Sequence, residues 1–241
     1  MVDLSGKIVL VTGAAGTIGS AVMHAIKQAS GIAIGSDLPG KPGIDAELDV
    51  CQETDWQRAA ADIEHKYGRL DGLVNAAGIA AVGSVETTDF ATWRGVIDVN
   101  LGGTFLGCKY AFPLIRKKGG SIVNLSSVLG MIGGPNLVAY SASKGGVALL
   151  TKSVALHGAR YQPPVRCNAV CPAFIKGEMV DEVARRSRDA KLVIQRLTAE
   201  IPLARLGEAA EVGALCIYLL SDEAAFMTGA LVPIDGGLTA R

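Results

Sequence analysis

The sequence predicts an α/β protein: a single-domain, Rossmann-type, doubly wound parallel sheet with helices on both faces. Three observations predict it. Short uninterrupted apolar runs alternate with longer stretches of helical period, the pattern of parallel strands buried by crossover helices. A glycine-rich turn, Gly13 to Gly19, joins the first apolar run to the first helical stretch. No linker, repeat or low-complexity tract divides the 241 residues, so a single domain is expected over 1–241.

The elements follow in order. Lys7–Thr12 (KIVLVT) is a buried strand. Gly16–Ser30 is a helix, because Ile18, Ala21, Val22, Ala25, Ile26 and Ala29 recur at three- and four-residue intervals. Gly31–Ser36 is the second strand, and Glu47–Val50 closes a short third one. The connection between them, Leu38 to Leu48, is too short for a full helix. Glu53–Tyr67 is helical and Gly68 stops it. Leu70–Asn75 is the fourth strand, and a long helical stretch covers Asp89 to Lys117. Ser121–Ser126 is the fifth strand, Tyr140–Tyr161 a helix, and Val165–Val170 the sixth strand. Glu178–Ala199 is a charged amphipathic helical region, Glu208–Leu220 another helix, and Ala230–Ile234 a last strand. Right-handed crossovers make the sheet doubly wound. Its ligand crevice then lies beyond the carboxyl ends of the strands.

Composition narrows the function. Lys+Arg and Asp+Glu are each 23. A balanced charge argues against nucleic acid or an anionic membrane as main partner. The N-terminus lacks the pattern of a signal peptide. Gly119–Ser143 is uncharged over 25 residues, but its Asn, Ser, Gly and Pro residues fit a strand and loop better than a membrane span. A cytoplasmic protein is expected. Cys51, Cys108, Cys167, Cys171 and Cys216 are dispersed, as for buried free thiols rather than a zinc site. No metal site is expected. His24, His65 and His157 stand alone on helical stretches, and Trp56 and Trp93 are expected to pack helices on the sheet.

The glycine turn has the spacing G-x-x-G-x-x-G. Gly13 permits the tight turn, Gly16 a close approach to a pyrophosphate, and Gly19 close packing of helix on sheet. The helix N-terminus offers free N–H groups and a positive dipole end to phosphates. Gly13, Ala15, Thr17 and Ile18 are the candidate contacts here. Asp37 ends the second strand and can accept from ribose hydroxyls while repelling a 2′-phosphate. Neither Ala15 nor Leu38 is basic, so NAD is favoured over NADP. Asp49 and Val50, ending the third strand, are candidates to edge the adenine.

Tyr140-Ser141-Ala142-Ser143-Lys144 opens a helix. Residues four apart share a face. A Lys ammonium beside a phenol favours the phenolate, so Tyr140 is expected to be tuned downward into a usable general acid/base. Tyr140 follows Ser127, at the end of a strand, by thirteen positions. Asp98-Val99-Asn100 lies in a long helix, Asn75-Ala76-Ala77-Gly78 ends the fourth strand, and Cys171-Pro172-Ala173-Phe174-Ile175 follows the sixth. Asp235-Gly236-Gly237 stands near the end. In this order the set resembles the short-chain dehydrogenase/reductase family, in its subgroup of about 250-residue enzymes, over essentially the whole chain.

The resemblance implies roles. Tyr140 would be the general acid/base. Lys144 would lower its pKa and hold the nicotinamide ribose. Ser127 would hydrogen-bond the substrate oxygen; Ser126 is the neighbouring choice, disfavoured by the spacing. Asn100 would hold a water linking Lys144 to solvent. Asn75 and Gly78 would lie along the cofactor and support the sheet, and Ala76 would lie along the cofactor. Pro172 and Ile175 would contact the nicotinamide side. The chain departs from the pattern at Ala76, where a second Asn is frequent, and at Ala173, where Gly is usual. It departs again at Gly177, where a Thr commonly bonds the nicotinamide carboxamide. Carboxamide anchoring must then come from elsewhere.

The segment 175–205 is expected to be a flap over the substrate, with Met179, Val180, Val183, Leu192 and Val193 as its apolar residues and Glu182–Lys191 as a solvated face. The loop Val128–Val138, the run Ile79–Val82, and Phe174 with Met179 offer no charge to a substrate. They fit a hydrophobic secondary alcohol or ketone, including alicyclic and steroid-like ones. An NAD-dependent alcohol dehydrogenase is the leading reading. A 3-oxoacyl-carrier-protein reductase, which would want NADPH, and a non-catalytic dinucleotide-binding paralogue are its rivals. The family's usual homotetramer, built from helices around 89–117 and 140–161, is the expected assembly.

Overall fold

The computed structural model describes residues 2–185 and 189–240. Seven strands form one sheet in the order β3-β2-β1-β4-β5-β6-β7. They are β1 (Ile8–Thr12), β2 (Ile32–Asp37), β3 (Ala46–Glu47), β4 (Gly72–Asn75), β5 (Gly120–Leu125), β6 (Val165–Pro172) and β7 (Leu231–Ile234). Every pair is parallel. The helices are α1 (Thr17–Gln28), α2 (Glu53–Tyr67), α3 (Phe90–Ile97), α4 (Gly103–Ile115), α5 (Val138–Gly158), α6 (Glu178–Arg185), α7 (Ala190–Glu200) and α8 (Ala209–Leu220). The Rossmann-type α/β architecture expected from the alternation is the one observed.

Side chains alternate across the strands and so build two cores. On one face Ile8, Leu10, Leu73, Ile122 and Cys167 meet Trp56 and Ile63 of α2, Phe112 and Ile115 of α4, and Ala155 of α5. On the other, Val9, Val11, Val74, Val123 and Val170 meet Val22, Met23 and Ile26 of α1 and Val212, Cys216 and Leu219 of α8. The five cysteines are free, and Cys108, Cys167, Cys171 and Cys216 are buried. Gly68 caps α2 in the left-handed conformation, at φ +73°. The chain reversal there suits glycine because no Cβ opposes it.

Four expectations need correction. The third strand is shorter and earlier than Glu47–Val50: Asp49 has already left the sheet, since its carboxylate accepts from Cys51 N–H in the turn into α2. The helix expected over 89–117 is broken by a π-helical turn at Asp98–Gly102. α5 begins at Val138, so Tyr140 is its third residue. The region expected as one helix over 178–199 is two, α6 and α7, with a small core of Val180, Ile201 and Leu206. Residues 186–188, part of the charged stretch Glu182–Lys191, and the side chain of Val183 lie outside the described residues. Gly119–Ser143 is β5, a 3-10 turn at Val128–Gly130, a loop and the start of α5. Among the described residues no helix is long and apolar enough to cross a membrane.

Candidate active site

The parallel register brings the carboxyl ends of the strands to one edge: Thr12 pairs with Ser36 and Asn75, Asn75 with Asn124, and Leu125 with Val170. The strand order reverses between β1 and β4, and the crevice opens there. Gly13 holds φ +64°, and a Cβ on it would lie 2.7 Å from the Ala77 Cα. Only glycine lets the turn and the loop after β4 come this close. Gly16 precedes α1 and caps it without a side-chain bond, so the first-turn N–H groups of Thr17, Ile18 and Gly19 face the crevice mouth without a cap. This cradle fits the pyrophosphate of a dinucleotide.

Asp37 closes the other side of the turn. Its carboxylate accepts from Ala15 N–H at 2.9 Å and Leu38 N–H at 2.8 Å. Ala15 thereby gives its N–H to the protein rather than to a ligand. Val50 is buried among the core residues and packs against Gly103, while its carbonyl accepts from the Trp56 indole N–H at 3.0 Å. An apolar side chain gains by leaving water, so Val50 packs on the core. Thr12 was not singled out as a site residue, yet its hydroxyl accepts from Ala76 N–H at 3.1 Å and Ala77 N–H at 3.2 Å. The signal was a hydroxyl residue closing an otherwise apolar strand. Asn75 turns inward: its amide donates to Asn124 Oδ1 at 2.9 Å and lies against Cys108 Sγ. Its side chain braces the sheet.

Ser127, Tyr140 and Lys144 come together at the ends of β5 and β6. The Ser127 side chain neighbours the Tyr140 phenol, and its hydroxyl donates to the Pro172 carbonyl at 3.4 Å and accepts from Leu129 N–H at 3.1 Å. Ser126 faces the other way and donates to the Lys144 carbonyl at 2.9 Å, which separates the two serines as the spacing did. Lys144 Nζ lies 5.6 Å from the Tyr140 ring centroid and donates to the Leu125 carbonyl at 2.7 Å.

The electrostatics correct one expectation. Burial pushes the Tyr140 phenol up to about 12, and the Ser127 hydrogen bond only partly opposes it. Burial pushes the Lys144 ammonium down to about 8, with Cys171 nearby opposing the shift. The ligand-free pair therefore does not show the lowered phenol that Tyr–Lys spacing alone suggests. Loss of hydration dominates both shifts.

Asn100 is fully buried in the π turn. Its amide donates to the Ile79 carbonyl at 2.9 Å and to Ser143 Oγ at 3.0 Å, and Oδ1 accepts from Ile79 N–H at 2.9 Å. Both side-chain donors are committed, so a relay water could use only its remaining acceptor capacity. Gly78 sits between: a Cβ there would lie 3.3 Å from Asn100 Oδ1 and 3.5 Å from Lys144 Nζ. Ile175 turns its side chain toward Gly207 and the α1–α8 core, because Phe174 and Lys176 bond Gly207 in a short parallel bridge.

The crevice walls are apolar. Ile79 and Val82 after β4, Met131 and Ile132 after β5, and Met179 on α6 are large hydrophobic side chains left 40–45% exposed. The first two loops are tied together, since Gly83 N–H donates to the Asn136 carbonyl at 2.9 Å and Val138 N–H to the Gly83 carbonyl at 3.4 Å.

Known proteins share this arrangement. Residues 13–239 match the family model adh_short_C2, described as "Enoyl-(Acyl carrier protein) reductase". The chain is 39% identical to a trans-4-hydroxycyclohexanecarboxylate dehydrogenase of Sinomonas cyclohexanicum, over 92% of this chain and 79% of that one. It is 35% identical to an NADP-dependent (R)-specific alcohol dehydrogenase of Lentilactobacillus kefiri, over 99% and 98%. The ligand-free structure of the Thermoplasma acidophilum aldohexose dehydrogenase superposes with a TM-score of 0.91 at 37% identity, over 100% of this chain and 96% of that one. With its nucleotide cradle, its Ser–Tyr–Lys cluster and these relatives, the chain belongs to the short-chain dehydrogenase/reductase family, a family of oxidoreductases that bind a nicotinamide dinucleotide.

Proposed function

We propose that this oxidoreductase is an NAD-dependent alcohol dehydrogenase and ketone reductase acting on a hydrophobic secondary alcohol, alicyclic or steroid-like. The observation that carries the reading is the grouping of Ser127, Tyr140 and Lys144 at the floor of a crevice with apolar walls. The dehydrogenase from Sinomonas cyclohexanicum, named for a cyclohexane alcohol, supports the alicyclic class. Asp37 supports NAD: a carboxylate at the end of β2 repels a 2′-phosphate. The relative named as NADP-dependent makes that residue the point on which cofactor choice turns. A cytoplasmic homotetramer is part of the same reading.

The residues divide the work. The main chain of the glycine turn and of Thr17 and Ile18 would hold the pyrophosphate, and Asp37 the adenosine ribose. When bound and oxidised, a nicotinamide dinucleotide supplies a hydride acceptor and a positive charge. Ser127 Oγ holds the substrate oxygen and stabilises the charge that develops on it. Tyr140 Oη takes the alcohol proton in oxidation and returns one to the oxygen in ketone reduction. Its raised pKa keeps it protonated in the free chain, the form that reduction needs. Oxidation requires positive charge beside the ring, to which Lys144 contributes when protonated. Asn100 positions the loop after β4 and, through Ser143, α5.

Absorbance at 340 nm tests this. Purified protein is given NAD or NADP with aliphatic, alicyclic and steroid alcohols, and the reduced cofactors with ketones and a 3-oxoacyl thioester. Turnover of alicyclic alcohols with NAD is expected. Thioester reduction with strong NADPH preference would replace the reading with the carrier-protein reductase. Absence of turnover across the panel, with dinucleotide binding retained, would favour the non-catalytic paralogue.

A further inference from the structure

Tyr140-Ser141-Ala142-Ser143-Lys144 carries two serines, and the fold treats them differently. The Ser141 hydroxyl oxygen is buried and has no hydrogen-bond partner among the described residues. Ser143 is fully buried and bonded on both sides. It accepts from the Asn100 amide at 3.0 Å and donates to the Tyr140 carbonyl at 2.7 Å. An amide nitrogen only donates, so the single Ser143 proton is directed at Tyr140. A serine that bonds a carbonyl one turn back bends the local course of its helix. That carbonyl belongs here to the residue bearing the phenol. The bonds run on to the crevice wall. Asn100 donates its other amide hydrogen to the Ile79 carbonyl and accepts from Ile79 N–H, both at 2.9 Å. Its main-chain carbonyl accepts from the Thr104 hydroxyl at 2.7 Å, which holds Asn100 in the π turn. Ile79 presents an exposed apolar side chain.

We infer that Ser143 is a positioning residue: its hydroxyl sets the turn of α5 that carries Tyr140 and, through Asn100, ties that setting to Ile79 in the crevice wall. This rests on Tyr140 as the acid/base and deepens that reading, by naming what aims the ring and what the aim responds to. Asn100 and Ser143 are both shut off from solvent, so water does not replace a bond lost between them. An alcohol large enough to press on Ile79 then acts, through a continuous run of buried hydrogen bonds, on the residue that handles its proton. A small alcohol that leaves Ile79 untouched does not. Ser143 meets neither substrate nor dinucleotide in this account.

Ser143→Ala cuts the link, and Ser143→Thr keeps the hydroxyl. Ser143→Cys, which keeps the volume and weakens the donor, stands in if Ser143→Ala does not fold. Ser141→Ala is the control, since its hydroxyl has no partner to lose. Thermal melts and calorimetry with the dinucleotide that the parent binds report on the fold and the cofactor site. Steady-state kinetics are measured with cyclohexanol and with propan-2-ol. Ser143→Ala is expected to lower kcat for cyclohexanol about tenfold, about the worth of one buried hydrogen bond, with KM and dinucleotide affinity within about twofold. The propan-2-ol kcat should fall less than about threefold. Ser143→Thr should recover most of the loss, and Ser141→Ala should match the parent. In Ile79→Ala with Ser143→Ala the cyclohexanol losses should not add, because both act on one link. A second readout needs no turnover. With tyrosines isotopically labelled at the ring Cζ, the Tyr140 resonance, identified by its loss in Tyr140→Phe, should move in Ser143→Ala and return in Ser143→Thr. A parent-like cyclohexanol kcat or an unmoved resonance in Ser143→Ala would overturn the inference. So would a loss that Ser143→Thr does not restore or that Ser141→Ala shares, which would assign the effect to packing of α5. Equal losses for the two alcohols, or additive losses in the double variant, would overturn the tie to Ile79. A parent that oxidises neither alcohol would instead remove the dehydrogenase reading, and the resonance would then decide whether Ser143 sets Tyr140.

Discussion

Replacing Tyr140 by Phe removes one oxygen from a ring that Ser127 and Lys144 flank. Turnover is expected to fall by about 10²–10⁴, the usual worth of a positioned acid/base, with dinucleotide affinity within a few-fold of the parent. Parent-like turnover in a steady-state assay would remove Tyr140 from the chemistry. Lys144 gives a pH prediction. Its folded pKa, about 8, lies below its ordinary value of 10.5. Between those values the unfolded chain holds a proton that the folded one has lost, so stability from this group rises with pH across about 8 to 10.5. The slope is at most about 1.4 kcal/mol per pH unit. Chemical denaturation at several pH values should show this rise in the parent and its absence in Lys144→Met. Tyr140 acts oppositely: its raised pKa contributes stability that is lost as pH rises from about 10 through 12. Asp37→Ser removes the carboxylate on which the proposed NAD preference rests, and the NADP-to-NAD ratio of kcat/KM should rise by at least about tenfold. These residues were legible because they end strands or sit at a fixed spacing. The direction of the Tyr140 shift was not, because desolvation depends on neighbours distant in sequence.

At the scale of elements, the turn from β1 into α1 is the least tolerant of added atoms. A Cβ on Gly19 would collide with the Gly13 carbonyl. Gly19→Ala is expected to cost on the order of 1–3 kcal/mol, the range for overpacked sites, seen as a lower thermal midpoint and a loss of dinucleotide binding together. The π turn at Asp98–Gly102 is the second such element. Sequence alone reads α3 and α4 as one helix, because the backbone stays in the right-handed helical region on both sides of the π turn. Tertiary bonding explains the turn: Asn100 reaches Ile79 on a different loop and Ser143 on α5. Asn100→Ala would leave the Ile79 carbonyl and N–H without these partners. Hydrogen exchange at the Ile79 amide should then speed up, before any global loss of stability. The split of 178–199 into α6 and α7 escaped the sequence reading for a related reason. An amphipathic pattern with charges on one side continues across a break as readily as through it.

Over the whole molecule, apolar side chains remain outside both cores. Phe105 on α4 and Leu149 and Leu156 on α5 are 50%, 68% and 72% exposed. They lie on the helices from which a homotetramer was expected. Sedimentation equilibrium should give a mass four times that of the 24.9 kDa chain. Leu149→Glu with Leu156→Glu should reduce it without unfolding the chain, since neither side chain is in a core. A monomeric parent at micromolar concentration would end the tetramer reading.

The sequence by itself determined the sheet, its parallel sense, the glycine turn and the Ser127–Tyr140–Lys144 grouping. Strand burial, turn conformation and helix spacing are local, and local chemistry writes them into neighbouring residues. Tertiary structure decided what depends on distant partners. It packed Val50 and Ile175 against the cores and bonded the Asn75 side chain to Asn124, because burial and buried hydrogen bonds need partners distant in sequence. It raised the Tyr140 phenol and lowered the Lys144 ammonium by removing water from both. It also set Thr17 in the space beside Gly177, a contact between residues 160 positions apart that no reading of either segment alone contains.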